Sequence, residues 1–148
     1  MPKVHKTVDV DVDAKKAINY IADVRNHPAF IPPLKSIESV EEDPRLHETD
    51  WDWTFVMAGV ELHGKSQTTK YEEGKVFTYK TWGEIESKFT YKIEDNNGQQ
   101  ELSIEVEYEM PEGVIAEAAN KTLVQNINEK SAQQAVENLK VILESADN

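Results

Sequence analysis

From Glu101 to Met110 polar and apolar residues alternate without a break. Leu102, Ile104, Val106, Tyr108 and Met110 fall on one side, and Glu101, Ser103, Glu105, Glu107 and Glu109 on the other. A period of two puts successive side chains on opposite faces of a strand, so this strand belongs to a sheet with one dry and one wet face. A dry face must be covered by a second layer. The cover follows at once in the chain. After Met110-Pro111 the turn signals vanish up to Asp147, and Ile115, Ala119, Leu123, Ile127, Ala135, Leu139 and Ile142 recur at helical spacing. An unbroken helix over 112–145 is about 50 Å long at 1.5 Å per residue and needs a large apolar surface to lie on.

The sheet is supplied upstream. Asn96-Asn97-Gly98 joins strands expected over 85–95 and 99–110, and Asn-Gly is the strongest short-range hairpin signal. Four further strands are expected over 35–42, 48–58, 60–72 and 75–82, separated by Asp43-Pro44, Ala58-Gly59 and Glu73-Gly74. At the N-terminus Val4, Val8, Val10 and Val12 alternate with polar residues, which predicts a strand over 3–12. Asp13 is placed to cap a helix whose apolar stripe is Ala14, Ala17, Ile18, Ile21 and Ala22 and which ends near Arg25. Pro28, Pro32 and Pro33 then limit HPAFIPPL to a short turn or cap. The economical arrangement is an α+β domain over 1–148: a curved antiparallel sheet of about seven strands wrapped around a long C-terminal helix, with two short helices after strand one.

Composition narrows the function classes. With 16 Lys plus Arg against 28 Asp plus Glu the net charge is −12, which argues against polyanionic partners, so no nucleic acid is expected. The absence of cysteine excludes disulfides, thiol nucleophiles, iron–sulfur clusters and thiolate zinc. The N-terminal MPKVHKTVDVDVD has no apolar core of a signal peptide, and no segment approaches the ~18 apolar residues of a membrane span. A cytoplasmic protein without stable membrane insertion is expected, as a monomer or homodimer. The sequon at Asn120 falls in the expected long helix and is not read as glycosylated.

The segment IADVRNHPAFIPPLKSIESVEED, with Asp23 at a helix end followed by Phe30 and Pro32, and the tail VEYEMPEGVIAEAANKTLVQNINEKSAQQAVENLKVILE carry a resemblance. The chain resembles the START-like helix-grip (SRPBCC) superfamily, and within it the polyketide cyclase/dehydratase and coenzyme-Q-binding branch. The resemblance spans nearly the whole chain and implies an elongated cavity between helix and sheet for a hydrophobic ligand. His27 to Leu34 would form part of its mouth, with Phe30 in the gate.

Alternation then nominates the walls. Trp51, Trp53, Phe55 and Met57 share one face of one strand. Neighbouring strands offer Leu62, Gly64, Ser66 and Thr68, then Phe77, Tyr79 and Thr81, then Ser87, Phe89, Tyr91 and Ile93, with Tyr108 on the last strand. Leu123 and Ile127 face the sheet from the long helix. Apolar walls with a few hydroxyls suit a small-molecule site, while each residue singly reads first as ordinary core. Ser131 and Ala135 stand mid-stripe where large residues are expected, and Asn126 flanks them. They either leave room or let the helix approach closely.

For proton transfer or carbonyl polarisation the candidates are Tyr20, Arg25, His27, His63, Tyr79, Tyr91 and Tyr108, with Arg25, His63, Tyr79 and Tyr108 foremost. His5, His27, His47 and His63 show neither His-x-His nor HExxH spacing, so no metal is expected. GxSxG, P-loop and GxGxxG motifs are absent, and no cofactor is expected. On the outer face, pairing of the first and last strands is expected to set Asp9 and Asp11 beside Glu105 and Glu107, partly balanced by Lys88 and Lys92.

The first functional reading is binding, for transport or storage, of a hydrophobic small molecule such as a lipid, quinone or polyketide-like aromatic. Two others stay open: a cyclase or dehydratase without metal or nucleotide cofactor, and a protein-interaction module of the co-chaperone kind.

Overall fold

The computed structural model describes residues 2–43, 48–57, 59–109 and 121–145. Seven strands form one antiparallel sheet: β1 (Lys3–Val10), β2 (Leu34–Asp43), β3 (Glu48–Met57), β4 (Val60–Glu72), β5 (Val76–Gly83), β6 (Glu86–Asn96) and β7 (Gln99–Glu109). Their order is β1-β7-β6-β5-β4-β3-β2, so β2 to β7 run as a meander and β1 closes onto the last strand. Between β1 and β2 stand α1 (Ala14–Ala22), a 3-10 turn (Val24–Asn26) and α2 (His27–Phe30); α3 (Lys121–Ser145) follows β7. The sheet around a long helix is the layering that the alternation and the helical stripe predict, and with the two short helices it makes the helix-grip fold that the resemblance implies. The part of the expected long helix before Lys121, with Ile115 and Ala119, lies outside the described residues, as do His47, Met110 and Asn120.

The turn chemistry is as the sequence reads. Asn97 and Gly98 both take positive φ (55° and 87°) between the paired residues Asn96 and Gln99, the geometry that lets a two-residue turn follow the strand twist. β1 stops at Val10, short of Val12, because the Asp11 amide leaves the ladder and donates to Glu144 Oε2 of α3 at 2.8 Å. Lys140 Nζ donates to Asp9 O at 2.7 Å, and Lys6 Nζ pairs with Glu129 at 2.8 Å. These ties hold α3 along β1. Asp13 stands at the N-cap of α1 in extended geometry, but no side-chain bond caps the helix; its carbonyl accepts from Ala17 N at 3.0 Å.

The expected pairing of Asp9 and Asp11 with Glu105 and Glu107 is corrected by the antiparallel register. Glu107 faces Lys3 and Glu105 faces His5, while Asp9 faces Glu101 and Asp11 lies beyond the strand. Lys3 Nζ reaches Glu105 at 3.7 Å and Glu107 at 3.4 Å, and Lys88 faces Glu107 from β6. At the Lys3 end carboxylate is thus met by ammonium, which relieves like-charge repulsion there, while Asp9 and Glu101 remain opposed as like charges.

The core lies between the concave face of the sheet and the helices. Val4, Trp51, Trp53, Leu62, Phe77, Tyr79, Tyr91, Leu102 and Ile104 fill it from the strands; Ile18 and Ile21 fill it from α1. On α3 the buried stripe is Val124, Ala132, Ala135, Val136, Leu139 and Leu143, one residue out of phase at its start with the expected stripe through Leu123. One residue is about 100° of helix rotation, so Leu123 instead stands exposed. At β4, Gly64 is required by packing. A Cβ there would lie 2.2 Å from Cζ2 of Trp53, whose ring covers the glycine and donates Nε1–H to Lys65 O at 3.0 Å.

Candidate ligand cleft and inner chamber

In a meander, hairpin ends gather at two opposite edges of the sheet. At the edge holding the start of β1, the end of β7 and the β3–β4 and β5–β6 connections, a narrow cleft opens between sheet and α3. The sheet contributes Val4, Phe55, Met57, Phe89, Ile104, Val106 and Tyr108; Ile85 comes from the β5–β6 turn. The loop after α2 contributes Ile31 and Pro33. From α3 come Asn128, Ser131, Ala132 and Ala135, all small or polar. Ser131 and Ala135 therefore border open space.

Polar groups in the cleft are few. The Tyr108 hydroxyl donates to Gln125 Oε1 on α3. Burial raises its pKa; the Asn128 amide opposes this and the Glu129 carboxylate adds to it. Ser87 shares a hydrogen bond with Thr81, whose hydroxyl also lies 3.1 Å from Ile85 O.

Beside the cleft, and sharing Phe55 with it, lies a second, smaller chamber with room for about one water molecule, lined by His27, Leu34, Ile37, Trp51, Trp53, Phe55, Ser66, Tyr79 and Thr81. Phe55, half-buried, borders both spaces, and the Thr81–Ser87 pair joins one lining to the other. The chamber is set among aromatic rings. Tyr79 stacks on Phe89 with centroids 4.8 Å apart, and Trp51 meets Tyr79 edge to face at 5.0 Å. His27, contributed by α2, packs 5.4 Å from both Phe30 and Tyr79.

His27 is fully buried and its Nε2 lies 2.8 Å from Ile21 O. A carbonyl only accepts, so Nε2 carries the proton and Nδ1 is left as an acceptor. Burial holds the imidazole down at about 4, against the weaker upward effects of the Ile21 carbonyl and Asp23. It is neutral at pH 7. Burial likewise pushes the hydroxyls of Tyr79 and Tyr91 well above the ordinary tyrosine value. Neither is a ready proton carrier at neutral pH. The Ser66 and Thr68 hydroxyls are buried without a hydrogen-bond partner, and Ser66 is in the chamber lining.

The structure brings some of the nominated residues together and separates others. Phe55, Phe89 and Tyr108 border the cleft; Trp51, Trp53, Phe55 and Tyr79 border the chamber. Leu62 and Tyr91 are buried outside both linings. Phe30 is wholly buried against His27 and Tyr91, and its neighbours Ile31 and Pro33 stand at the cleft in the place expected of a gate. Ile127 is half-buried, and Asn128, one position on, lines the cleft where Asn126 is exposed. Arg25 belongs to the opposite end of β2, where its guanidinium lies 2.7 Å from Glu42 and 3.7 Å from Asp23. His63 is on the convex face, bonded to Thr54 Oγ1 at 3.1 Å and 3.3 Å from Glu61. Tyr20 is half-buried against Phe30.

The pattern of the family described as "Polyketide cyclase / dehydrase and lipid transport" matches residues 1–144. The chain belongs to this family. No curated protein sequence matches it significantly. Among solved structures it is similar to TTHA0849 from Thermus thermophilus, at 12% identity and a TM-score of 0.81, covering 99% of this chain and 100% of that one. It is also similar to the ZhuI aromatase/cyclase from Streptomyces sp. R1128, at 15% identity and a TM-score of 0.76, covering 99% and 96%. A START superfamily protein from Mycobacterium smegmatis aligns at 16% identity and a TM-score of 0.64, covering 93% and 98%. At these identities the likeness is one of fold. The family member described here has no described helix long and apolar enough to cross a membrane.

Proposed function

We propose that this family member binds a hydrophobic small molecule of the lipid, quinone or polyketide-like aromatic class in the cleft between sheet and α3. The observation that carries the reading is the cleft itself, whose walls are nearly all apolar and whose helical side is built from Asn128, Ser131, Ala132 and Ala135. Burying the apolar surface of a ligand there supplies roughly 25 cal/mol per Å² before ordering costs. Native mass spectrometry of the freshly purified protein, followed by solvent extraction, tests it. A stoichiometric hydrophobic adduct, or saturable uptake of an added apolar probe, is expected. A protein that emerges without adduct and takes up no apolar probe overturns the reading.

One observation favours the cyclase or dehydratase alternative. Tyr108 and Asn128 both line the cleft, and the Tyr108 hydroxyl, once turned from Gln125 Oε1, is the group there that would pass a proton to a bound polyketide. Tyr108 is protonated at neutral pH, so it would enter as the donor, and burial makes it a weaker acid than a free tyrosine. Turnover of a poly-β-ketone mimic that is lost in Tyr108→Phe, with binding retained, would establish this alternative.

A further inference from the structure

We infer that the smaller chamber is a subsite for the hydroxyl end of the ligand, with Ser66 Oγ as the group that reads it; this rests on the cleft being the ligand site. Ser66 is 1% exposed, lies in the chamber lining, and its hydroxyl has neither donor nor acceptor partner. A buried unpaired hydroxyl is costly, and such groups in a folded core usually have a ligand or a water to meet. At the chamber's centre there is room for a group of about one water molecule's size. That is too small for a ring and right for a hydroxyl.

The rest of the lining agrees. The His27 ring is neutral, with Nε2–H committed to Ile21 O, so the one hydrogen-bonding function it has left is acceptance at Nδ1. The Thr81 hydroxyl is already engaged with Ser87 and Ile85 O. A ligand hydroxyl, which both donates and accepts, can satisfy Ser66; a carboxylate would meet no cation, since the chamber lining contains no Lys or Arg. The geography fits one molecule in both spaces. Its apolar body occupies the cleft, and its hydroxyl passes Phe55, the side chain shared by the two linings. Phe55 is only half-buried and has space on the cleft side in which to turn.

The test compares 2-naphthol with 2-methylnaphthalene, titrated into the full chain and followed by protein NMR. On hydrophobic transfer alone the methyl compound should bind more tightly. The subsite predicts the reverse, a preference for 2-naphthol that falls about tenfold in Ser66→Ala, with affinity for 2-methylnaphthalene unchanged. Because the hydroxyl has no partner within the protein, Ser66→Ala should keep or raise the unfolding midpoint; Ser66→Cys, of similar volume and weak hydrogen bonding, serves if alanine fails to fold and should lose most of the preference. Equal binding of the two probes, or a naphthol preference that survives both substitutions, overturns the subsite and leaves the cleft standing. Binding of neither probe overturns both.

Discussion

The two halves of α3 meet the same sheet and do opposite things. From Asn128 to Ala135 the inward residues are Asn, Ser and Ala, and the space they leave is the cleft. From Val136 to Leu143 they are Val136, Leu139 and Leu143, each at most 2% exposed, and the helix is sealed down, with Asn138 Nδ2 donating to Phe30 O at 3.3 Å. Backbone path and helix type are common to both halves; side-chain volume differs. Interiors are close-packed, so a run of small residues along a helix held in place by ties at Lys6, Asp9 and Asp11 leaves a void that the helix cannot settle into. The aromatic cluster around His27 surrounds the smaller chamber, and the cleft begins where Phe55 and Phe89 end it.

The comparison breaks most sharply at Trp53. Its ring covers Gly64 and is 3% exposed, so Trp53→Ala should destabilise the fold by about 4 kcal/mol in denaturant melts; a loss under about 1 kcal/mol would mean the cluster is not packed.

Acid probes the same cluster. The folded pKa of His27 is about 4, below its unfolded value near 6.5, so the unfolded chain binds the extra proton as pH falls. Its stabilising contribution is complete above pH 6.5 and is lost progressively as pH drops from 6.5 through 4, by about 3 kcal/mol in all. Melts at pH 6.5, 5.5 and 5.0 should show the slope above the carboxylate range, and His27→Leu, though weaker at pH 7, should lack it.

Leu139→Ala in the sealed half of α3 is expected to cost about 3 kcal/mol, by transfer and cavity terms together. In the open half the smallest effect on stability should accompany the largest on binding. Ala135→Leu adds side chain into existing space, so unfolding should shift by less than about 1 kcal/mol while uptake of apolar probes falls at least tenfold. A large destabilisation by Ala135→Leu would show the two halves of the helix to be equally tight.

Much of this architecture was legible before any coordinates. The alternation in Glu101–Glu109, the Asn97-Gly98 turn and the aromatic face of Trp51, Trp53 and Met57 each depend only on local period and turn stereochemistry, and each reads through to a strand, a hairpin or a buried face. The site was legible in kind. Phe55, Phe89 and Tyr108 reach the cleft because a two-residue period sends them there. Ile31 and Pro33 fall in the His27–Leu34 segment expected at the mouth, but a proline-rich turn has no period from which to single them out; Asn128 was missed because the helical stripe was read through Leu123 instead of Val124.

By itself, then, the sequence determined the layers, the strand order of the meander and the dry face, since those follow from patterns within a few residues. The tertiary structure alone decided the antiparallel register that sets Lys3 against Glu107, the burial that neutralises His27, and the exposure of Arg25 and His63 far from the cleft. It also decided that small residues on α3 leave space and do not close it. Each of these depends on how far apart two distant segments are held, and no local pattern carries that distance.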